Sequence, residues 1–128
     1  MALREQLRVL VVDDMSTSRG LIVQALDSFG VSHVTTAADA KSALVSLAQS
    51  PAHIVISDYN MPVSSGLDLL QALRGAQATQ GMGFILITGK ADAAIIDRGR
   101  ALGMNNYVKK PFEPPQLRNA IEAVVGRL

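Results

Sequence analysis

Five short runs rich in β-branched and aromatic residues recur along the chain, and none is long enough to be a helix. They are Val9–Val12, His33–Thr36, Ile54–Ser57, Phe84–Thr88 and Tyr107–Val108. Runs of this length and make-up read as strands. Between them the apolar residues fall at helical spacing. Ile22, Ala25, Leu26 and Phe29 form one stripe, Ala40, Leu44, Leu47 and Ala48 a second, and Gly66, Leu69, Leu70 and Leu73 a third. Ile95, Gly99 and Leu102 form a weaker fourth, and Leu117, Ile121, Val124 and Leu128 a fifth. Gly30 and Gly103 stand where helices should stop, and Pro114 and Pro115 where the last should start. Strand and helix in alternation predict an α/β fold, an open parallel sheet with helices on both faces.

The chain's 128 residues suffice for one domain, expected over residues 1–128, with 48% of them apolar to fill its core. A separate output domain has no room. The formal net charge of +1 gives no electrostatic footprint for nucleic acid. The absence of cysteine excludes disulfides, thiolate zinc sites and a cysteine nucleophile, and fits a cytoplasmic protein. The apolar stretch nearest the N-terminus, Val9–Val12, ends in two acids, so it is neither a signal peptide nor a membrane span.

In open α/β sheets ligands bind at the carboxyl ends of the strands. Here the first strand ends in Asp13-Asp14, the third in Asp58 and the fourth in Thr88, and the fifth is followed by Lys110. Parallel strands bring these side chains to one edge. Each alone has an ordinary reading: an N-cap for the aspartates, a cap or a β-former for the threonine, a solvated charge for the lysine. Together they place three mutually repelling carboxylates beside a hydroxyl and an ammonium. A hard divalent cation such as Mg²⁺ (or Mn²⁺) and a lysine both relieve that repulsion. A carboxylate is also a nucleophile toward phosphoryl groups, and phosphoryl transfer needs positioning and charge neutralisation above all. The turn through Asn60-Met61-Pro62 would bring backbone carbonyls near the metal and clear space for a phosphodonor. Strand alternation points Lys109 and Lys110 opposite ways, which assigns Lys110 to the site.

The stretches "VLVVDDMSTSR" (Val9–Arg19), "SDYNMPVSSGLDLL" (Ser57–Leu70), "ILITGK" (Ile85–Lys90) and "NYVKKPF" (Asn106–Phe112) resemble the receiver domains of two-component response regulators, most of all the single-domain chemotaxis regulators of the CheY type. The resemblance implies a flavodoxin-like doubly wound fold with strand order 2-1-3-4-5. It implies that Asp58 takes a phosphoryl group from the phosphohistidine of a CheA-like histidine kinase. Asp13, Asp14, Asp58 and the backbone carbonyl of Asn60 would hold the metal, and Lys110 would contact the phosphoryl oxygens. Thr88 would move toward them after phosphorylation, and Tyr107 would change rotamer with it. Asn60 and Lys90 would flank the hydrolytic water and tune dephosphorylation. The Lys110–Pro111 bond would be cis. The face made by the fourth helix, fifth strand and fifth helix would change shape and bind a flagellar motor component or another signalling protein. The expected protein is a cytoplasmic monomer without nucleic-acid or membrane partners, a signalling switch that catalyses only its own phosphorylation and slow dephosphorylation.

Three alternatives remain at this point. A phosphate sink or relay receiver would carry the same residues. An aspartate-nucleophile phosphatase would need a second acid two residues after the nucleophile, where Asn60 stands, and an amide cannot transfer that proton. A flavin carrier would need neutral, donor-rich strand-end loops. His33 and His53 open strands at the far edge and read as strand-entry residues. "GMGF" at Gly81–Phe84 precedes a strand and lacks a dinucleotide fingerprint. Met15 is expected to pack, and Gly99 to weaken the fourth helix unless a packing contact requires it.

Overall fold

The structure, a computed structural model, describes residues 3–89 and 92–128. Its elements are α1 (Leu3–Gln6), β1 (Arg8–Val12), α2 (Ser16–Ser28), β2 (His33–Ala37), α3 (Ala40–Gln49), β3 (Ile54–Asp58), α4 (Gly66–Arg74), β4 (Gly83–Thr88), α5 (Ala93–Ala101), β5 (Asn106–Lys109) and α6 (Pro114–Val125). The strands form one parallel sheet in the order β2-β1-β3-β4-β5. Each expected strand is present to within a residue or so at either end. The expected fourth and fifth helices are α5 and α6, because the single turn α1 precedes the first strand.

Alternation along the strands divides the core in two. Val9, Val11, Ile54, Ile56, Ile85 and Ile87 face α2 and α6, where they meet Ile22, Leu26, Leu117 and Ile121. Leu10, Val12, Val55, Phe84 and Leu86 face α3 and α4, where they meet Ala43, Leu47, Leu67 and Leu70. Every residue of β3 and β4 is buried, which is why these runs are continuously apolar and not alternating. On the edge strand β2 only Ala37 is buried.

One expected helix face is corrected. The buried stripe of α3 is Ala40, Ala43 and Leu47, while Leu44 and Ala48 are exposed. Asp39 starts this helix by accepting the Ser42 N–H at 2.7 Å. The helix then lies over the narrow β2 edge of the sheet, which covers only a strip of small residues. The turn α1 was not expected: Leu7 is buried and Leu3 packs against the same layer, and two residues are too few to show a period. Leu128 lies beyond the end of α6 yet is buried.

Gly30 and Gly103 follow α2 and α5 with φ of 87° and 96°, the left-handed backbone that ends a helix. Gly99 has a packing role: a Cβ there would meet Met104 Sδ at 2.8 Å and Leu67 Cδ2 at 3.4 Å, so its absence lets α5 approach α4 and the segment before β5. At the amino edge Arg74 closes two loops, donating to Met82 O at 2.7 Å, Gln80 O at 3.0 Å and Gly103 O at 2.9 Å.

Gly66, the first residue of α4, is fixed by close approach. Its N–H donates to Tyr59 O at 2.9 Å, and a Cβ would collide with the carbonyl oxygen of Asp58 and lie 2.9 Å from Leu86 Cδ1. In contrast, Gly20 sits on the exposed face of α2 with nothing near its missing Cβ. Gly66→Ala should therefore cost about 1–3 kcal/mol through overpacking. Gly20→Ala should gain about 0.5–1 kcal/mol from helix propensity. Urea unfolding midpoints of the two variants check this, and equal shifts of one sign would refute it.

Candidate functional site

The carboxyl edge of the sheet is anchored by backbone bonds that leave its side chains little choice. Asp13 follows β1 and still donates to Ala37 O at 3.1 Å. Asp58 ends β3; after it, Tyr59 N donates to Ile87 O at 2.9 Å, so the chain stays tied to β4 one residue past the carboxylate. Lys110 N donates to Thr88 O at 2.8 Å. Behind Asp58 the hydroxyl of Ser57 is fully buried and donates to the Asp58 carbonyl at 3.0 Å.

These anchors gather the expected acids. Asp13, Asp14 and Asp58 each offer a carboxylate oxygen within 4.8 Å of the others. Asp13 and Asp58 are buried and Asp14 is exposed. Lys110 reaches in with Nζ 3.2 Å from Asp58 Oδ1 and 3.5 Å from Asp13 Oδ2. Lys109 is exposed, as alternation requires, and the Lys110–Pro111 bond is cis. Thr88 is buried at the end of β4, and Tyr107 is half-buried on β5 against the layer of α3 and α4. Asn60 is exposed two residues beyond Asp58. Lys90 lies outside the described residues. His33 and His53 sit at the opposite edge, where His53 Nδ1 accepts the Arg8 N–H at 2.9 Å.

Two neighbours were not singled out from sequence. Ser18 Oγ accepts from Lys110 Nζ at 2.9 Å, closer than either carboxylate. Arg19 Nη1 donates to the backbone carbonyl of Asp13 at 2.8 Å, and not to its carboxylate. Both lie in the first turn of α2. Nothing in their spacing marks them, because the contact to Lys110 spans 92 positions. Met15, expected to pack, is largely exposed, and its N–H donates to Asp13 Oδ1 at 3.0 Å.

The cluster carries more negative charge than Lys110 offsets. Burial pushes the Asp58 carboxyl above the ordinary carboxylate value; Lys110 opposes the shift, and Asp13 and Asp14 add to it. An all-oxygen donor set with excess negative charge and one exposed ligand suits a hard divalent cation that keeps some of its waters. The residues present therefore fit Mg²⁺.

The pH consequence has a definite sign. Asp58 holds its proton more tightly in the fold than in the unfolded chain. Folding therefore loses stability as pH rises through the ordinary carboxylate value of 3.8, and the loss is complete once folded Asp58 ionises. Asp58→Asn should raise the unfolding midpoint at neutral pH, and the gain should shrink as pH falls through the raised value of folded Asp58 toward 3.8. Urea titrations of both chains across the acid range check it; a gain that grows toward low pH would contradict the assignment.

The chain matches the family described as "Response regulator receiver domain" over residues 9–122. It is 41% identical over 128 residues to the "Probable chemotaxis protein CheY" of Rhizobium etli, covering 100% of this chain and 99% of that one. It is 32% identical over 122 residues to the chemotaxis protein CheY of Pseudomonas aeruginosa, covering 95% of this chain and 98% of that one. Among solved structures, chemotaxis protein CheY4 of Vibrio cholerae superposes with a TM-score of 0.86 at 30% identity, over 92% of this chain and 98% of that one.

Proposed function

Because this chain belongs to the response regulator receiver family, we propose that it is a chemotaxis switch in which Asp58 takes a phosphoryl group from the phosphohistidine of a CheA-like histidine kinase. The observation that carries this is the Lys110 ammonium 3.2 Å from Asp58 Oδ1 inside a cluster of three carboxylates. A free carboxylate oxygen of Asp58 attacks phosphorus, the new O–P bond forms as the donor's P–N bond breaks, and the imidazole keeps the electron pair and takes up a proton. The tie from Tyr59 to β4 holds the nucleophile still, and Lys110 meets the charge on the transferring oxygens. Asp13, Asp14, Asp58 and the carbonyl of Asn60 would hold Mg²⁺ or Mn²⁺, which supplies neutralisation of phosphoryl charge when bound.

Output follows from the neighbouring strands. Thr88 ends β4 and pairs in register with Lys109, one residue from both Tyr107's neighbour Val108 and Lys110. Movement of Thr88 toward a phosphoryl group would act on β5, and Tyr107 would answer by changing rotamer. The face of α5, β5 and α6 then binds a flagellar motor component or another signalling protein. Asn60 and Lys90 would set the hydrolysis rate by flanking the attacking water. The same reading makes residues 1–128 one receiver domain, monomeric and cytoplasmic; among the described residues no helix is long and apolar enough to cross a membrane.

Intact-mass measurement after incubation with acetyl phosphate, and with a phosphorylated kinase domain, tests the chemistry. The native chain should gain one phosphoryl group in the presence of Mg²⁺ and none in excess EDTA, and Asp58→Asn should gain none, because an amide is no nucleophile. Uptake by Asp58→Asn, or no uptake by the native chain from either donor, would overturn the reading.

Lys110→Ala separates the lysine from the metal. It removes a cation that competes for Asp58 and Asp13, so Mg²⁺ affinity should stay the same or rise, while phosphorylation no longer strengthens partner binding. Calorimetric titration with Mg²⁺ measures the first part, and a drop in affinity would be the refuting result.

A further inference from the structure

The ammonium of Lys110 has three acceptors, and the shortest contact is not to an acid. Ser18 Oγ lies 2.9 Å from Nζ, against 3.2 Å for Asp58 Oδ1 and 3.5 Å for Asp13 Oδ2. An ammonium has three hydrogens to give, and these three oxygens come from three separate elements: α2, the end of β3 and the segment after β1. Two carboxylates alone would leave Nζ free to pivot about the line joining them. A third acceptor on α2 removes that freedom, and the cost in lysine rotamer entropy is met before any donor arrives. The surroundings favour the bond. Ser18 and Lys110 line one groove of about 420 Å³ with Leu21, Ala25, Pro111 and Phe112, whose apolar side chains offer Nζ no competing acceptor. The hydroxyl is also neutral. A carboxylate in its place would add to the repulsion by which Asp13 and Asp14 reinforce the burial-driven rise of Asp58, and would tie up charge that the phosphoryl group needs.

We propose that Ser18 is a positioning residue for phosphorylation: it holds the Lys110 ammonium beside Asp58, so that an incoming phosphoryl group meets a cation already in place. This deepens the function proposed above and rests on it for the reaction, though the hold on Lys110 is testable without any phosphodonor. The Ser18 hydroxyl pairs with Lys110 and not with Asp58. Its loss should therefore lower the maximal rate and leave donor binding alone.

The test uses the full chain and its Ser18→Ala and Ser18→Thr variants, with unfolding midpoints recorded for each. The first reading is the ¹⁵Nζ ammonium resonance of Lys110 without metal or donor, identified by its absence in Lys110→Arg. Hydrogen-bonded ammonium protons exchange slowly enough to be seen. The signal should be present in the native chain and in Ser18→Thr, and lost to exchange in Ser18→Ala. The second is the phosphorylation rate against acetyl phosphate concentration with Mg²⁺. Ser18→Ala should lower the maximal rate by about threefold to tenfold at an unchanged half-saturating concentration, and Ser18→Thr should restore it. A Lys110 signal that persists unchanged in Ser18→Ala overturns the proposal, and so does a maximal rate that stays native. If the native chain takes up no phosphoryl group, the proposed reaction fails, while the resonance still decides whether Ser18 holds Lys110.

Discussion

Repulsion among Asp13, Asp14 and Asp58 is the constraint around which this molecule is arranged. Three carboxylates within one ion's reach would push apart on a pliable scaffold. Here two of them sit at the ends of strands buried on both faces, and the backbone at Asp13 and just after Asp58 is still bonded to a neighbouring strand. The core therefore absorbs the repulsion. Lys110 offsets part of it, while burial, reinforced by Asp13 and Asp14, raises the proton affinity of Asp58. A site held in that condition has affinity in reserve for any cation or electrophile that relieves it.

The same constraint accounts for details that look unrelated. Gly66 must lack a side chain because the loop after Asp58 folds back to bring its N–H to Tyr59 O and its Cα against the Asp58 carbonyl. Val63, in that loop, has φ of 69° and is fully exposed, an uncommon backbone for a β-branched residue. The loop is thus shaped by its two ends, and its middle takes whatever conformation closes the gap. At the opposite edge Arg74 ties the loops before β4 and β5 together. The sheet is laced at its amino edge and reactive at its carboxyl edge.

Much of this is legible in the sequence, and for identifiable reasons. The central strands are readable because β3 and β4, buried on both sides, carry the unbroken apolar runs Ile54–Ile56 and Phe84–Ile87. The site was readable because parallel topology sends every strand end to one edge, so Asp13, Asp14, Asp58, Thr88 and Lys110 needed only their positions to be brought together. Features set by tertiary neighbours were not readable. The phase of α3 depends on how much of it the narrow edge strand covers, and Leu44 looks like core by spacing alone. Ser18 is indistinguishable from any polar residue early in a helix until β5 delivers Lys110 to it across the fold.

The attachment of α5 carries a further consequence. Its only fully buried residue is Gly99, which has no side chain, and Ile95 and Ile96 are just half covered. A helix held against Leu67 and Met104 by a bare glycine, with two side chains only partly covered, is a loosely fastened element. Its neighbours α4 and α6 bury five and three residues respectively, among them large apolar ones. Opening α5 exposes little apolar surface, so its amides should exchange with solvent through local fluctuations long before the rest of the core lets go. Small forces suffice to tilt an element so lightly held.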